Sequence, residues 1–572
     1  MAFQLSPGVN VSEVDLTASI PSVSTTVGAF AGEFQWGPAN EIVSISNEVQ
    51  LVDRFGKPDS NTFTSFFTAS NFLQYSNSLR VVRAVGSGAL NSTTTGTGVL
   101  IENRNDYDEN HSSGSAAAQF AAKYPGTLGN SIKVSMCDAN TQILSGWEYS
   151  GSFDSFPKTS LYVSDNNNNE NNANDEIHVV VIDVTGRISG TANTVLEKFG
   201  YLSKASDAKT DDGSSNYYKD VINNRSKYVW WLSHPATGTN WGRPATDNIV
   251  YSFLASTDFS LSGGVSSAPS TANRSTAYDL FTNPDSVDVS LIIAGETTGA
   301  TLPIHLMNIA ESRKDCMVFV SPDRSDVIDN LGNEADDIAS LVTNTYESYA
   351  TGIGSDPQST YVVFDSGWKY QFDKYNDTYR WIPLNGDIAG LCARTDLERD
   401  PWFSPAGLNR GQIKNVVKLA WNPTQSERDT LYKSGVNPVV TFPGEGTILY
   451  GDKTFTSRPT AFDRINVRRL FIVLEKAIAR AARSSLFEFN DDFTRSQFIN
   501  LVEPFLRDVQ GRRGIYDFRV VCDTTNNTPE VIDRNEFVGD IYIKPARSIN
   551  FIQLNFVATR TGVSFDEIVG RF

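Results

Sequence analysis

One strand-helix-strand unit constrains the fold more than any other stretch of this sequence. The segments "VDVSLIIAG" and "DCMVFVSP" are short apolar runs typical of buried strands, and "LPIHLMNIAESR" between them reads as a helix. Strands joined through a helix pair in parallel, and parallel sheets are covered by helices on their faces. The sequence therefore predicts a parallel α/β layer in this part of the chain.

Composition changes along the chain and indicates an α+β multidomain protein. From about residue 88 to 200, runs such as "STTTGTG" and "SDNNNNENNANDE" alternate with strands, as in a β-rich domain with long loops. Two long helices are predicted near Ile465 to Ser485 and Asp492 to Val509, followed by the strands "IYDFRVVCD", "EFVGDIYIKPA" and "SINFIQLNFVAT". The predicted parts are an amino-terminal arm at 1–20, a discontinuous middle domain at 21–90 and 346–452, a β-rich insert at 91–200, an α/β insert at 201–345, a carboxy-terminal domain at 453–557 and a carboxy-terminal arm at 558–572.

Charge and hydropathy argue against several classes of function. The 572-residue chain has a formal net charge of −18, which disfavours nucleic-acid binding. Its apolar runs are shorter than the ~20 residues that span a bilayer, and no basic-then-apolar leader is visible at the start. The 4 cysteines have no paired spacing, so buried thiols are predicted rather than disulfides or a zinc site.

No catalytic or metal-binding constellation is recognisable. The 4 histidines lack a catalytic or metal-ligand spacing, and His178 and His305 are interpreted as structural residues with local polar contacts. The G-x-S-x-G, H-E-x-x-H and phosphate-loop motifs are missing. The Asn-rich stretch 165–176 lacks the spacing of an EF-hand. The sequence therefore predicts a protein that is not an enzyme and needs no cofactor or metal.

The helix "RINVRRLFIVLEKAIARAARSS" separates apolar from basic side chains. At ~100° per residue, one predicted stripe is apolar: Val467, Leu470, Phe471, Leu474, Ile478 and Ala481. The opposite side groups four cations: Arg469, Lys476, Arg480 and Arg483. Glu475 is the only acid of the helix, so the mixed-sign pairing of an ordinary solvated face is missing. The basic side is thus either a solvated face or a contact for an acidic partner.

Both ends of the chain are predicted to be extended arms. In "SPGVNVSEVDLTASIPSV", Val9 and Val11 alternate with polar residues, while Pro7 and Pro21 disfavour a helix. The chain ends in a second extended piece that contains "GVSFDEIV". A strand without a partner must be covered, charged or lent to another chain.

Taken together, these segments resemble the contractile tail sheath proteins of myovirus-type, T4-like bacteriophages. The resemblance covers about residues 1–90 and 280–572 and is thin across the insert. It rests on the following segments in this order: "SPGVNVSEVD", "GAFAGEFQWGPANEIVSI", "RFGKP", "KYPGTLGNSIKV", "AGLCARTDLERDPWFSPAGLNRGQI", "LYKSGVNPVVTFPGEGTILYGDKTF", "INVRRLFIVLEKAIARAARSSLFEFND" and "EFVGDIYIKPARSINFIQLNFV".

The resemblance implies a fold and an assembly. An inner α/β domain is built from the chain termini and a late segment, with nested β-rich and α/β insertions projecting outward. Six-fold rings stack helically around a tail tube and contract to drive it through the host envelope during genome delivery. The arms add strands to neighbouring subunits through Val9, Val11, Val14, Val563, Phe565 and Ile568. Arg469, Lys476, Arg480 and Arg483 face an acidic tube.

The implied partners are further copies of the chain, the tail tube protein, and the baseplate and tail terminator proteins. Neither nucleic acid nor membrane insertion is expected. The implied location is the tail of the virion, which is assembled in the host cytoplasm.

Two alternatives stay open at the level of the sequence. A β-rich tail appendage or secreted enzyme that binds or cleaves glycan is compatible with the 9 Trp, the 21 Tyr and the Ser/Thr/Asn-rich loops. The sheath of a phage-derived bacteriocin or secretion system has the same sequence pattern as a phage sheath, and genome neighbourhood would distinguish the two.

Overall fold

The structure is a computed structural model that describes residues 25–550, with gaps at 115–117, 141–145, 168–172, 236–237, 239, 347–358 and 457–458, together with residue 553. The predicted arm residues Val9, Val11, Val14, Val563, Phe565 and Ile568 lie outside the described residues. So does most of the third predicted carboxy-terminal strand.

The strands of the described residues are β1 (Gly28–Gly32), β2 (Ile42–Ile45), β3 (Leu79–Arg83), β4 (Phe120–Ala122), β5 (Ile132–Asp138), β6 (Glu176–Asp183), β7 (Thr194–Ser203), β8 (Val229–Trp231), β9 (Asp258–Ser260), β10 (Leu291–Ile293), β11 (Met317–Val320), β12 (Val362–Asp365), β13 (Trp368–Asp373), β14 (Thr378–Pro383), β15 (Lys418–Leu419), β16 (Val436–Asn437), β17 (Val439–Phe442), β18 (Gly446–Leu449), β19 (Ile515–Val521) and β20 (Asp540–Pro545).

The α-helices of the same residues are α1 (Glu48–Phe55), α2 (Phe63–Leu73), α3 (Arg104–Asp106), α4 (Leu161–Asn166), α5 (Tyr218–Arg225), α6 (Thr271–Asp279), α7 (Thr301–Arg313), α8 (Arg324–Val327), α9 (Glu334–Ser340), α10 (Asn385–Glu398), α11 (Gln425–Lys433), α12 (Ile465–Ala482), α13 (Asp492–Gly511) and α14 (Pro529–Asp533).

A mixed sheet of seven described strands forms the central part of the molecule, in the order β16-β12-β11-β10-β1-β3-β2. Neighbouring strands are parallel except for β2 and β3. β1, β10 and β11 are buried along their length, as expected for parallel strands covered by helices. Helix α2 packs against α10, and α6 packs against α7. The predicted strand-helix-strand unit is confirmed as β10, α7 and β11.

The strand pairing corrects two predicted domain boundaries. The sequence assigns β10 and β11 to a separate insert at 201–345, whereas the structure pairs them in the same sheet as β1 and β12. The predicted boundary at 200/201 falls inside β7, and β8 and β9 pair with the earlier strands β4 and β5. Composition is a local property, whereas strand pairing depends on which distant segments share a buried surface.

The chain between β3 and β10 forms a β-rich body with a core of its own. Its antiparallel sheet has the order β7-β6-β5-β9, and β4 pairs with β8. Every residue of β6 is buried, and Tyr218 and Trp231 belong to the same core. This body extends through β9, past the predicted end of the insert at residue 200.

The carboxy-terminal part packs α12 and α13 against the antiparallel pair β19 and β20. The two helices begin where the sequence predicts, and Asp491 caps α13 by accepting a hydrogen bond from the Thr494 N–H at 2.8 Å. Leu474 and Val502 contribute to the core of this part, whereas Ile465, also on α12, packs into the core under the central sheet. Helix α12 therefore joins two hydrophobic cores.

Helix α12 also crosses the amino-terminal ends of three central strands. Arg468 donates to Thr360 and Tyr361, which directly precede β12. Lys476 lies 3.7 Å from Asp315, before β11, and contacts Asp288, before β10. The helix rises ~12 Å from residue 468 to 476, close to the ~10 Å that separates β12 from β10 across β11. The cations of α12 thus follow the amino edge of the sheet.

Candidate assembly surface

The buried face of α12 is wider than the predicted apolar stripe. Five stripe residues are buried and Phe471 is half-buried: Val467, Leu470, Leu474, Ile478 and Ala481. Ile472, Val473 and Ala477 are buried as well, because the helix has a core on either side. Only a small part of α12 is exposed to solvent, and the predicted cations differ in their surroundings.

The structure corrects the prediction that Arg469 lies on an exposed basic face. The Arg469 side chain is 4% exposed and forms an ion pair with Asp396 of α10, which is 3% exposed. Its guanidinium also donates to the Cys392 carbonyl at 3.2 Å. A helical projection shows which residues share a side of a helix, but not what covers that side. Here α10 covers it, and Arg469 connects the two helices inside the molecule.

Lys476 and Arg480 reach a single aspartate from the segment before β10. The Lys476 Nζ lies 2.5 Å from one carboxylate oxygen of Asp288, and the Arg480 Nη2 lies 3.3 Å from the other. Burial on its own would raise the pKa of Asp288, but hydrogen bonds and charge from these two cations outweigh it and hold that pKa below its usual value. Asp288 is therefore the common partner of two of the predicted cations.

Arg483 forms the outermost pair of the group. Its Nη2 lies 3.0 Å from Asp285 Oδ1, and the two side chains are 70% and 74% exposed. The acids that pair with α12 thus come from segments far away in the sequence. The predicted cations are therefore paired, although the helix itself supplies no acids at i,i+4 spacing to them.

One sequence signal could have found two of these acids. Asp288 and Asp315 each stand a few residues before a strand of the predicted strand-helix-strand unit. Since the strands are parallel, their amino ends meet at one sheet edge, and so do the residues just before them. Asp285 and Asp396 have no comparable signal, because only the tertiary packing brings them to α12.

A cleft of about 430 Å³ separates the outer end of α12 from these acidic segments. Its charged lining consists of Asp285, Asp288, Asp315, Glu475, Arg313, Lys314, Lys476, Arg480 and Arg483. Arg313 donates to both carboxylate oxygens of Asp315. Acids and bases thus nearly balance around the cleft.

The strand pair β19–β20 is a second candidate surface. The two strands are antiparallel, and no third strand pairs with either of them in the part of the chain that the structure describes. Tyr516 and Tyr542 are exposed on this pair. An open strand edge presents backbone N–H and C=O groups that can receive a further strand.

His178, His305 and the cysteines have structural surroundings. The His178 Nδ1 accepts from the Tyr201 N–H at 3.1 Å and its Nε2 donates to the Ser155 carbonyl, while His305 contacts Asp279 at 2.9 Å. All four cysteines are buried free thiols. Within the described ranges, no group of three or more potential metal ligands occurs, and no helix has the length and apolarity needed to cross a bilayer.

Family models match most of the chain outside the β-rich insert. The match to the phage tail sheath C-terminal domain covers residues 457–559, and the match to the phage tail sheath protein central domain covers 287–455. Residues 25–84 match the tail sheath protein Gp18 domain III N-terminal region. The central-domain match includes β10, β11 and β12, in agreement with the sheet.

Relatives and solved structures are similar along nearly the whole chain. The tail sheath protein of Enterobacteria phage T4 is 36% identical over 99% of both chains, and that of Vibrio phage KVP40 is 34% identical over 99% of this chain and 100% of its own. The sheath tail proteins from Listeria innocua and Desulfitobacterium hafniense have similar folds, with TM-scores of 0.53 and 0.52 at 11% identity. These matches cover 93% and 95% of this chain, and 97% and 100% of theirs.

Proposed function

This chain belongs to the phage tail sheath proteins, and from that premise we propose that it assembles into stacked hexameric rings around a tail tube. Contraction of this sheath drives the tube through the host envelope during genome delivery. The subunit is structural rather than enzymatic, and it joins the virion tail in the host cytoplasm. The observation that carries the proposal is the similarity to phage tail sheath proteins over 99% of the chain. That similarity also favours a phage sheath over a glycan-binding appendage.

The proposed links between subunits are strands donated by the two arms. Val9, Val11 and Val14 of one arm, and Val563, Phe565 and Ile568 of the other, pair in neighbouring copies with edges of β19–β20 that no described strand occupies. Strand addition gives a link of fixed register through backbone hydrogen bonds. Head-to-tail contacts that do not close on themselves produce helical assemblies, so one type of link can extend along the whole tail.

The proposed tube-facing surface consists of Arg480 and Arg483, with Lys476 behind them on Asp288 and Asp315, and it leaves out the buried Arg469. Exposed charge pairs are weak and screened by salt, which suits a contact that the sheath must release when it shortens. The baseplate and tail terminator proteins are the proposed partners at the two ends. The energy for contraction comes from the difference between two packings of the same subunits, without nucleotide hydrolysis.

Deleting residues 1–20 tests the proposed assembly. The full chain should form long tubes of constant diameter in negative-stain images under assembly-permitting salt. The truncated chain should keep the circular dichroism spectrum and Tm of the full chain but sediment as a monomer, because the described core of the molecule begins after the arm.

Two outcomes would count against the proposal in different ways. Tubes of wild-type appearance from the truncated chain would contradict the role of the amino-terminal arm. Failure of the full chain to form tubes, with or without purified tail tubes as a template, would contradict the sheath function itself.

A further inference from the structure

We infer that, in the free subunit, Asp285 and Asp288 occupy the positions that carboxylates of an acidic partner surface take on assembly. Arg480 and Arg483 then exchange these internal aspartates for the carboxylates of the partner. Lys476 remains bound inside the subunit and positions the exchanging pair. This inference rests on the proposed tube contact and describes how that contact is regulated.

The three ion pairs differ in exposure along α12. Lys476 is 10% exposed and has a second acid, Asp315, at 3.7 Å, so it keeps a partner even without Asp288. Arg480 is 41% exposed and its contact with Asp288 is 3.3 Å. Arg483 is the most exposed of the three and contacts only Asp285 among the ion pairs of the described residues. Access for an outside carboxylate therefore increases toward the end of the helix.

The acidic segment can be approached from solvent. Residues 282–286 are exposed, between the end of α6 and the start of β10. The chain forms a turn at Asp285, in which the Asp285 N–H donates to the Asn283 side-chain oxygen and the Val287 N–H donates to the Asn283 carbonyl. An incoming carboxylate can thus reach Arg483 without opening the hydrophobic core beneath α12.

The internal acids nearly neutralise the cleft and so weaken its attraction for an outside acid. Four acids and five bases line the cleft, so the surface is almost neutral while Asp285 and Asp288 are in place. A cation that is engaged by an internal acid is only fractionally available, and this lowers the apparent affinity for an outside acid by the same fraction. The internal acids therefore keep the contact weak in the free subunit and supply replacement partners when the contact is released.

The test compares four forms of the full-length chain for binding to fluorescently labelled poly-L-glutamate, measured by anisotropy over a series of salt concentrations: two aspartate variants, a control, and a variant that also lacks the two arginines. The test variants are Asp285→Asn and the double variant Asp285→Asn/Asp288→Asn. The matched control is Asp53→Asn/Asp108→Asn, which removes two acids with exposed side chains from pairs with Lys227 and Arg104 and changes the net charge by the same amount.

We expect the double variant to bind poly-L-glutamate about two- to tenfold more tightly than the control at low salt, and Asp285→Asn to show an intermediate gain, because exposed pairs of this kind are individually weak. Adding Arg480→Glu/Arg483→Glu to the double variant should abolish the gain. Equal affinities of the double variant and the control, or a gain that survives loss of both arginines, would overturn the inference.

A separate experiment tests the proposed tube contact. It measures co-sedimentation of the wild-type chain and of Arg480→Glu/Arg483→Glu with purified tail tubes. If the arginine variant co-sediments as wild type does, the tube contact is wrong even where poly-L-glutamate shows the exchange. If the arginines are needed on tubes but the aspartate variants bind poly-L-glutamate as the control does, only the exchange is wrong.

Discussion

The two halves of α12 carry cations on the same side of the helix but place them in opposite environments. In the first half, Arg469 and Asp396 form a buried pair between α12 and α10. In the second half, Arg480 pairs with Asp288, and Arg483, which directly follows the helix, pairs with Asp285; these acids are 40% and 74% exposed at the rim of a cleft. A charged residue can therefore hold a fold together or remain available to a partner, depending on what covers it.

Removing the buried acid should have the largest effect on stability. Asp396→Ala leaves the Arg469 guanidinium buried without its counter-charge, and breaking such a pair typically costs ~3–5 kcal/mol. We expect a marked drop in Tm by scanning calorimetry of the monomeric subunit. Asp285→Ala is the matched control, because it removes the acid that pairs with the exposed Arg483. The expected loss in the free energy of unfolding is only ~0–1 kcal/mol. Equal losses in the two variants would remove the distinction between the halves.

A smaller effect is expected from pH, through Asp288. Its pKa is held below the usual value by Lys476 and Arg480, so its contribution to stability is present above the ordinary carboxylate pKa and is lost as pH falls through the lower, folded value. The Tm difference between wild type and Asp288→Asn should be constant from about pH 7 to 5 and shrink below about pH 4. A difference that already disappears near pH 6 would show that Asp288 is not held in this way.

Local patterns in the sequence predicted the elements of the fold well. The β10-α7-β11 unit and the starts of α12 and α13 follow from periodicity, because each pattern lies within one segment. The partition into domains did not follow, since β1 pairs with β10 across the whole inserted body. Composition marked that body as different but could not show where the chain returns to the central sheet.

The candidate site was predicted in part for the same reason. The helical projection identified Lys476, Arg480 and Arg483 as neighbours, and the structure brings them to one cleft. It also included Arg469, because sequence spacing contains no information on the position of α10. The assignment of these residues to a tube contact, like that of the arm residues to strand exchange, stays a prediction.

The tube contact is tested most directly by co-sedimentation of the charge-reversal variant Arg480→Glu/Arg483→Glu with purified tail tubes, in parallel with its Tm. We expect co-sedimentation to be lost, because the exposed half of α12 meets an acidic surface, while the Tm stays close to that of wild type. Undiminished co-sedimentation, or loss of binding only together with unfolding of the subunit, would contradict the claim that this half of the helix faces the tube.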